Sequence, residues 1–284
     1  MRRVVLFFLL FWLTAVSALA GVRLEVPERA GLGQPFLARL VSDAPFVTPE
    51  VRWLDREVRP TVKAQSGLLV SEILLGTDVL EDRPGVREVT ATVQQDGKML
   101  TLRGRVAIEA KAYPTQALTL PPKMVTPPQA ELARIAQEQE ETRRIKDLAS
   151  LRQFWTLPLV RPVSGAIESV YGAARVLNGQ ARNPHRGLDF DAQAGEPVRA
   201  CATGTVVLVA EQYYAGKCVF VDHGNGVVSM YFHLSEVGVR QGYRVDRGEV
   251  LGKVGATGRA TGPHLHFAVS AQGRLVDPGP LLEE

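Results

Sequence analysis

The chain reads as a mostly β protein: an N-terminal immunoglobulin-like β-sandwich, a linker ending in a helix, and a C-terminal antiparallel β domain. Three observations lead there. Short β-branched and apolar runs, separated by Gly, Pro and Asp turns, recur through the first third. Prolines then crowd between Tyr113 and Pro128 and give way to apolar residues at helical spacing. Beyond Trp155 strand-like alternation returns, now carrying histidines.

Residues 1–20 read as a signal peptide. Met1-Arg2-Arg3 is a basic start, Val4 to Val16 is an apolar run broken only by Thr14, and Ser17-Ala18-Leu19-Ala20 supplies an A-x-A cleavage signal. The run is short for a membrane span, which needs about 20 residues. An uncleaved signal anchor is the alternative, and the one expected route to a membrane. No cysteine stands at the cleavage point, so lipoprotein processing is not indicated. Removing Arg2 and Arg3 takes the formal charge from +3 to +1, so charge gives no reason to expect nucleic-acid binding.

Residues 21–112 form the expected sandwich. Its strands are Val22 to Val26, Phe36 to Val41, Val51 to Leu54, Leu68 to Leu75, Val86 to Gln94 and Leu100 to Glu109. Turn signals stand at Gly33-Gln34-Pro35, Arg83-Pro84-Gly85 and Asp96-Gly97. The region has no His or Cys, which suits binding, positioning or covering and not catalysis. Residues 113–155 are the linker: an extended proline-rich part to Pro128, then a helix over 129–151 with Leu132, Ile135, Ile145 and Leu148 at helical spacing. The middle of that helix is nearly all polar and reads as a solvated face. Residues 156–284 make the C-terminal domain.

All five histidines lie between positions 185 and 266. His185-Arg186-Gly187-Leu188-Asp189 is an H-x-G-x-D run, and His264-Leu265-His266 closes Thr261-Gly262-Pro263-His264-Leu265-His266-Phe267. Alternation after Pro263 puts His264, His266 and Ala268 on one face of a strand and Leu265, Phe267 and Val269 on the other. His185 and Asp189 are an even number apart and share a face if extended, with Gly187 free to bend the chain between them. His233 follows the strand-like Val227-Val228-Ser229-Met230-Tyr231 and can approach from a neighbouring strand. Two His and one Asp make three protein ligands and leave a fourth position open, the pattern of a catalytic rather than a structural zinc. His223, in Asp222-His223-Gly224-Asn225-Gly226, sits in a hairpin turn signal and reads as structural. Cys201 and Cys218 are an even pair, able to form a disulfide in an oxidising exported setting.

In order and spacing, these motifs resemble the lysostaphin-type (LytM-like) zinc metallopeptidases, which cut peptidoglycan cross-bridges. The resemblance runs over roughly residues 162 to 280 and takes in Tyr171-Gly172 with Arg175, the His185 to Asp189 run, Gly195-Glu196-Pro197, Gly204-Thr205, Tyr231 with His233, Gly248-Glu249-Val250-Leu251-Gly252, Gly255-Ala256-Thr257-Gly258 and the His264-Leu265-His266 motif. It implies that His185, Asp189 and His266 bind zinc (Zn2+) and that His233 and His264 are the catalytic pair, with roles left open between them. It also implies a LytM-like peptidase fold, peptidoglycan peptide cross-links as partner, and a periplasmic location, secretion being the other possibility. Two departures stand out: Ala268 where many members carry an acidic residue, and Lys217-Cys218 where a glycine-rich stretch is more usual. Neither removes a metal or catalytic position. Tyr231 and Arg175 either line the substrate groove or serve packing and local salt bridging. The competing reading is a non-catalytic LytM-like regulator that activates a cell-wall amidase; a missing zinc ligand would favour it, and none is missing.

Overall fold

In the N-terminal third, period-two burial decides which residues become strands. Along Pro35–Ser42, Phe36, Ala38 and Leu40 are buried while Arg39 faces out; along Gly85–Gln95, Val89, Ala91 and Val93 are buried. The computed structural model describes residues 21–283, so the signal-peptide reading for residues 1–20 lies outside the described residues. One sheet runs in the order Arg23–Glu25, Pro35–Ser42, Leu68–Gly76, Lys63–Gln65. The other runs Arg29–Gly31, Lys98–Glu109, Gly85–Gln95, Val47–Trp53, Arg56–Val58. A single hydrophobic cluster fills the space between them, with Phe36 edge-on to Trp53 at 5.2 Å. Asp96-Gly97 forms the expected two-residue hairpin, both residues in the left-handed region at φ 49° and 73°. Each of the six expected strands is present. The three further strands have three residues each and too little pattern to be read in advance.

The linker departs from expectation in two places. Within the stretch expected to be simply extended, Thr115–Leu118 adds in parallel to Ala174–Leu177, which also pairs with Gln180–Arg182. A short helix, Pro122–Val125, follows, opened by a proline that has no N–H to lose at that position. The helical stretch opens where expected, with a 3-10 turn over Gln129–Glu131, but the α-helix Leu132–Lys146 stops five residues short of 151. It ends early because Leu148 and Leu151 find no apolar partner and stay exposed, while Ser150 bonds to the Asp222 carboxylate and, through its carbonyl, to the Asn225 N–H. Ile135 and Ile145 are buried, and the polar middle carries Arg134–Glu138 and Arg144–Glu140 pairs, as a solvated face would.

The C-terminal region is a ten-stranded antiparallel sheet. Its main order is Ile167–Ser169, Leu188–Asp191, His264–Ala271, Val227–Val237, Gly216–Asp222, Gly204–Gln212, Arg244–Val245. Both faces are covered. Val219, Val221, Leu265 and Phe267 pack on one side; Cys218, Phe220, Met230 and Ala268 pack with Ile145 of the helix on the other. This separation rules out the disulfide. Cys201 belongs to the first face and Cys218 to the second, and both are free and buried. Tyr231 proves to be a core residue: it is fully buried and its hydroxyl accepts the Cys201 N–H at 2.8 Å. His223 is likewise structural, buried between the Thr203 carbonyl at 2.9 Å and Ser229 Oγ at 2.7 Å.

Bonds also join the N-terminal sheets to this region. Tyr171 Oη accepts the Val79 N–H at 3.0 Å and donates to the Leu275 carbonyl at 2.7 Å. Arg186, inside the H-x-G-x-D run, pairs with the fully buried carboxylate of Asp78 at 3.2 Å. Among the described residues no helix is long and apolar enough to cross a membrane.

Candidate active site

Sheet register brings the motif residues together. Leu188–Asp191 pairs with His264–Ala271 so that Asp189 stands opposite His266, and Val227–Val237 pairs on the other side so that Phe232 stands opposite His266. The Phe232 ring stacks on the His266 imidazole at 5.1 Å and 17°. His185 lies just before its strand, anchored by its N–H to the Ala173 carbonyl at 2.9 Å and by its carbonyl to the Gly172 N–H at 2.7 Å. Gly187 must be glycine: a Cβ there would sit 2.6 Å from the Phe267 carbonyl oxygen and 2.7 Å from the His266 ring. His233 needs a backbone device. Strict alternation would send it to the face opposite Phe232, but its φ of 65° places it in the left-handed region and returns the ring to the site. Its centroid is 4.7 Å from that of His264 and 6.1 Å from that of His266.

Three acceptor atoms converge. His185 Nε2 is 3.0 Å from His266 Nδ1 and 3.0 Å from Asp189 Oδ1, and His266 Nδ1 is 2.7 Å from Asp189 Oδ1. The Val170 carbonyl, 3.0 Å from His185 Nδ1, can only accept, so Nδ1 carries the proton and Nε2 presents its lone pair to the group. A single proton on His266 Nδ1 would satisfy one of these contacts and leave the others lone pair against lone pair. The donor set therefore fits a divalent cation held by two imidazoles and a carboxylate.

Outer contacts orient these side chains. Ser169 Oγ stands 3.1 Å from His185 Nδ1 and donates to Gln116 Oε1 at 2.8 Å, and Arg175 holds Asp189 Oδ2 at 2.6 Å. Arg175 thus does both things expected of it as alternatives: it lines the cleft and makes a local salt bridge. Burial alone would raise the Asp189 carboxyl, but hydrogen bonds and charge from His185 and His266 hold it well below the usual carboxylate range. Burial pushes His266 down to about 4 against the pull of Asp189. Burial, reinforced by His264 and His266, pushes His233 down to about 3. Both rings are neutral at pH 7 and offer lone pairs.

His233 and His264 are each held from behind. His233 Nδ1 donates to the Thr257 carbonyl at 2.8 Å and His264 Nδ1 to that of Gly262 at 2.9 Å, and neither Nε2 atom has a hydrogen-bond partner among the described residues. The cleft in front is lined by both histidines, Asp189, Arg175, Arg259 and Gln116, among others. All five residues expected from the sequence are therefore in one place. Ser169, Gln116 and Arg259 were not foreseen; Arg259, between two glycine-containing motifs, had the one usable signal.

The sequence pattern of Peptidase family M23 matches residues 183–278. A Pseudomonas aeruginosa crystal structure assigned to peptidase M23 aligns with a TM-score of 0.64 and 32% identity, covering 85% of this chain and 92% of that one. The chain belongs to peptidase family M23. Curated relatives of this M23 chain include the peptidoglycan DD-endopeptidase ShyA of Vibrio cholerae, 44% identical over 94 residues. Another is the DD-carboxypeptidase/endopeptidase Mpg of Neisseria meningitidis, 45% identical over 94 residues. Each match takes in 33% of this chain and 22% of the relative, so the shared part is about a fifth of those proteins. The stretch matched by the family pattern, residues 183–278, includes His185, Asp189 and His266, and the mostly β fold around them is that of the M23 structure.

Proposed function

We propose that this M23 peptidase is a zinc-dependent endopeptidase that hydrolyses amide bonds in peptidoglycan stem-peptide cross-links during cell-wall remodelling. The observation that carries the reading is the convergence of His185, Asp189 and His266 beside two imidazoles whose Nε2 atoms are unengaged. His185, Asp189 and His266 would hold the zinc, which when bound supplies Lewis acidity and acidifies water at the centre. The chain's own residues do the rest. The cleft seats an extended peptide with its amide at the histidine pair. One of His233 and His264, entering neutral, accepts the proton of the attacking water at Nε2; the other, entering protonated, gives its Nε2 proton to the departing amine, and exchange with solvent resets the pair. Both keep their Nδ1–H on a backbone carbonyl, so each works through Nε2 at every turnover.

We place the working protein outside the cytoplasmic membrane, in a periplasm, on the strength of the residue 1–20 signal pattern and of relatives named peptidoglycan DD-endopeptidases. In this reading residues 21–112 are an immunoglobulin-like positioning domain, 113–155 the linker and 156–284 the peptidase domain. The test is digestion of purified cross-linked peptidoglycan by the zinc-loaded full-length mature chain, with muropeptides followed by mass spectrometry. Wild type should convert cross-linked dimers to monomers and His266→Ala should not. Equal inactivity of both, with zinc bound to wild type, would move the assignment to an amidase-activating regulator.

A further inference from the structure

Arg259 is a half-buried guanidinium in the wall of the cleft, and among the described residues no carboxylate lies within ion-pair distance of it. The other arginine lining the cleft is matched: Arg175 holds Asp189 at 2.6 Å. Of the cleft's two carboxylates, Asp189 is engaged by Arg175 and two histidines, and the exposed Glu168 reaches no cation among the described residues. Burial works against the charge on Arg259, and Arg175 and Arg182 add like charge around it. A guanidinium kept partly out of water without a counter-ion costs stability unless something else is gained there.

The position is also built to be rigid. The Arg259 N–H donates to the Tyr214 carbonyl at 2.8 Å, and the guanidinium lies over the Tyr214 ring at 4.3 Å. One residue earlier, Gly258 has φ 72°, and a Cβ there would fall 2.3 Å from the Gly216 nitrogen. The loop is therefore pressed onto the Tyr214–Gly216 turn. Two residues before Arg259, the Thr257 carbonyl fixes His233. A fork-shaped cation held on the same loop that orients a site histidine is suited to bind a planar anion next to the reacting bond.

We infer that Arg259 is a substrate-binding residue that clamps a carboxylate carried by the peptide close to the scissile amide. This rests on the peptidase reading above and narrows it: the substrate is an acidic peptide, not a glycine-only bridge. Two sources of this chemistry lie next to a cross-link amide, a free C-terminal α-carboxylate and the side-chain carboxylate of a diamino-diacid residue.

The test uses the zinc-loaded full chain and a monomeric stem tetrapeptide in three forms: these two carboxylates free, the C-terminus amidated, or the diamino-diacid side-chain carboxylate amidated. Calorimetric affinities for wild type, Arg259→Gln and Arg259→Lys are compared, with kcat and KM on cross-linked dimers measured in parallel. Amidating one of the two carboxylates should weaken wild-type binding about 10- to 100-fold, which names the source. Arg259→Gln should lose a similar factor on the free acid and no longer distinguish acid from amide, raising KM more than it lowers kcat. Arg259→Lys keeps the charge without the fork and should recover part of the difference; it carries the test if the glutamine variant fails to fold. Equal wild-type affinity for all three peptides, or a glutamine variant that still prefers the acid, overturns the inference. Wild type that discriminates but cleaves no dimer leaves the carboxylate site standing and removes the endopeptidase reading. Cleavage without discrimination does the reverse.

Discussion

Chelated, metal-free protein should lose stability on mild acidification, and His233 should carry a defined share of the loss. An unfolded histidine titrates near 6.5, whereas His233 in the fold is pushed down to about 3 by burial and by His264 and His266. Between those values the unfolded chain binds a proton that the folded chain refuses, so stability falls as pH drops below 6.5. At pH 5 the gap spans about 1.5 of those pH units, and at about 1.36 kcal/mol per unit His233 costs roughly 2 kcal/mol relative to pH 7.5. His266, pushed down to about 4, adds a similar amount, less whatever the two rings share. Asp189 contributes nothing in this window: its carboxyl is depressed, so its stabilisation is lost only on titration through the acidic carboxylate range. His223 works with the opposite sign, because Cys201 and the Thr203 carbonyl outweigh its burial and raise it. The diagnostic quantity is therefore the difference between wild type and His233→Gln in urea unfolding at pH 7.5 and pH 5 with chelator present. Wild type should lose about 2 kcal/mol more than the variant over that interval. Equal losses would refute the claim that His233 is held neutral by its surroundings.

Three further outcomes are expected. Gly187→Ala must push a methyl against the Phe267 carbonyl and the His266 ring, so it should cost about 1–3 kcal/mol and lower the bound-metal ratio, read by elemental analysis and thermal unfolding. Ser169→Ala and Gln116→Ala touch no proposed ligand atom directly, but by loosening His185 they should weaken zinc about 10- to 100-fold in chelator competition, with global stability little changed. Arg186→Ala takes the cation from Oδ2 of the buried Asp78 and leaves the carboxylate, among the described residues, only the Leu80 N–H at Oδ1; the partner's partial exposure brings the expected cost down to about 2 kcal/mol, and Arg186→Ala with Asp78→Asn should restore much of it.

Much of the site was legible because its spacing is local. His264 and His266 share a strand face by simple alternation, and the sheet register then carries Asp189 to His266. His233 was legible as a candidate but not as a geometry, since a left-handed φ at a histidine has no sequence signature. Gln116 was invisible for a different reason. Its strand exists only through a parallel pairing with Ala174–Leu177, more than fifty residues along the chain, and nothing in Thr115–Leu118 itself announces the partner. The helix overran because Leu148 keeps helical spacing with Ile145, while the bonds that end it, from Ser150 to Asp222 and Asn225, are again non-local. The cysteines show the same limit: the compartment argument permits a bond that opposite faces of one sheet forbid.

Thr115–Leu118 has a practical consequence for anyone trimming this protein. A chain begun at residue 156 would keep all five histidine and aspartate positions and still lose Gln116 from behind His185. It would also lay bare the backbone rim of Ala174–Leu177, a ready template for sticking to another copy. The smallest piece expected to stay soluble and hold its metal firmly therefore begins ahead of Thr115, well before the first residue of the family pattern.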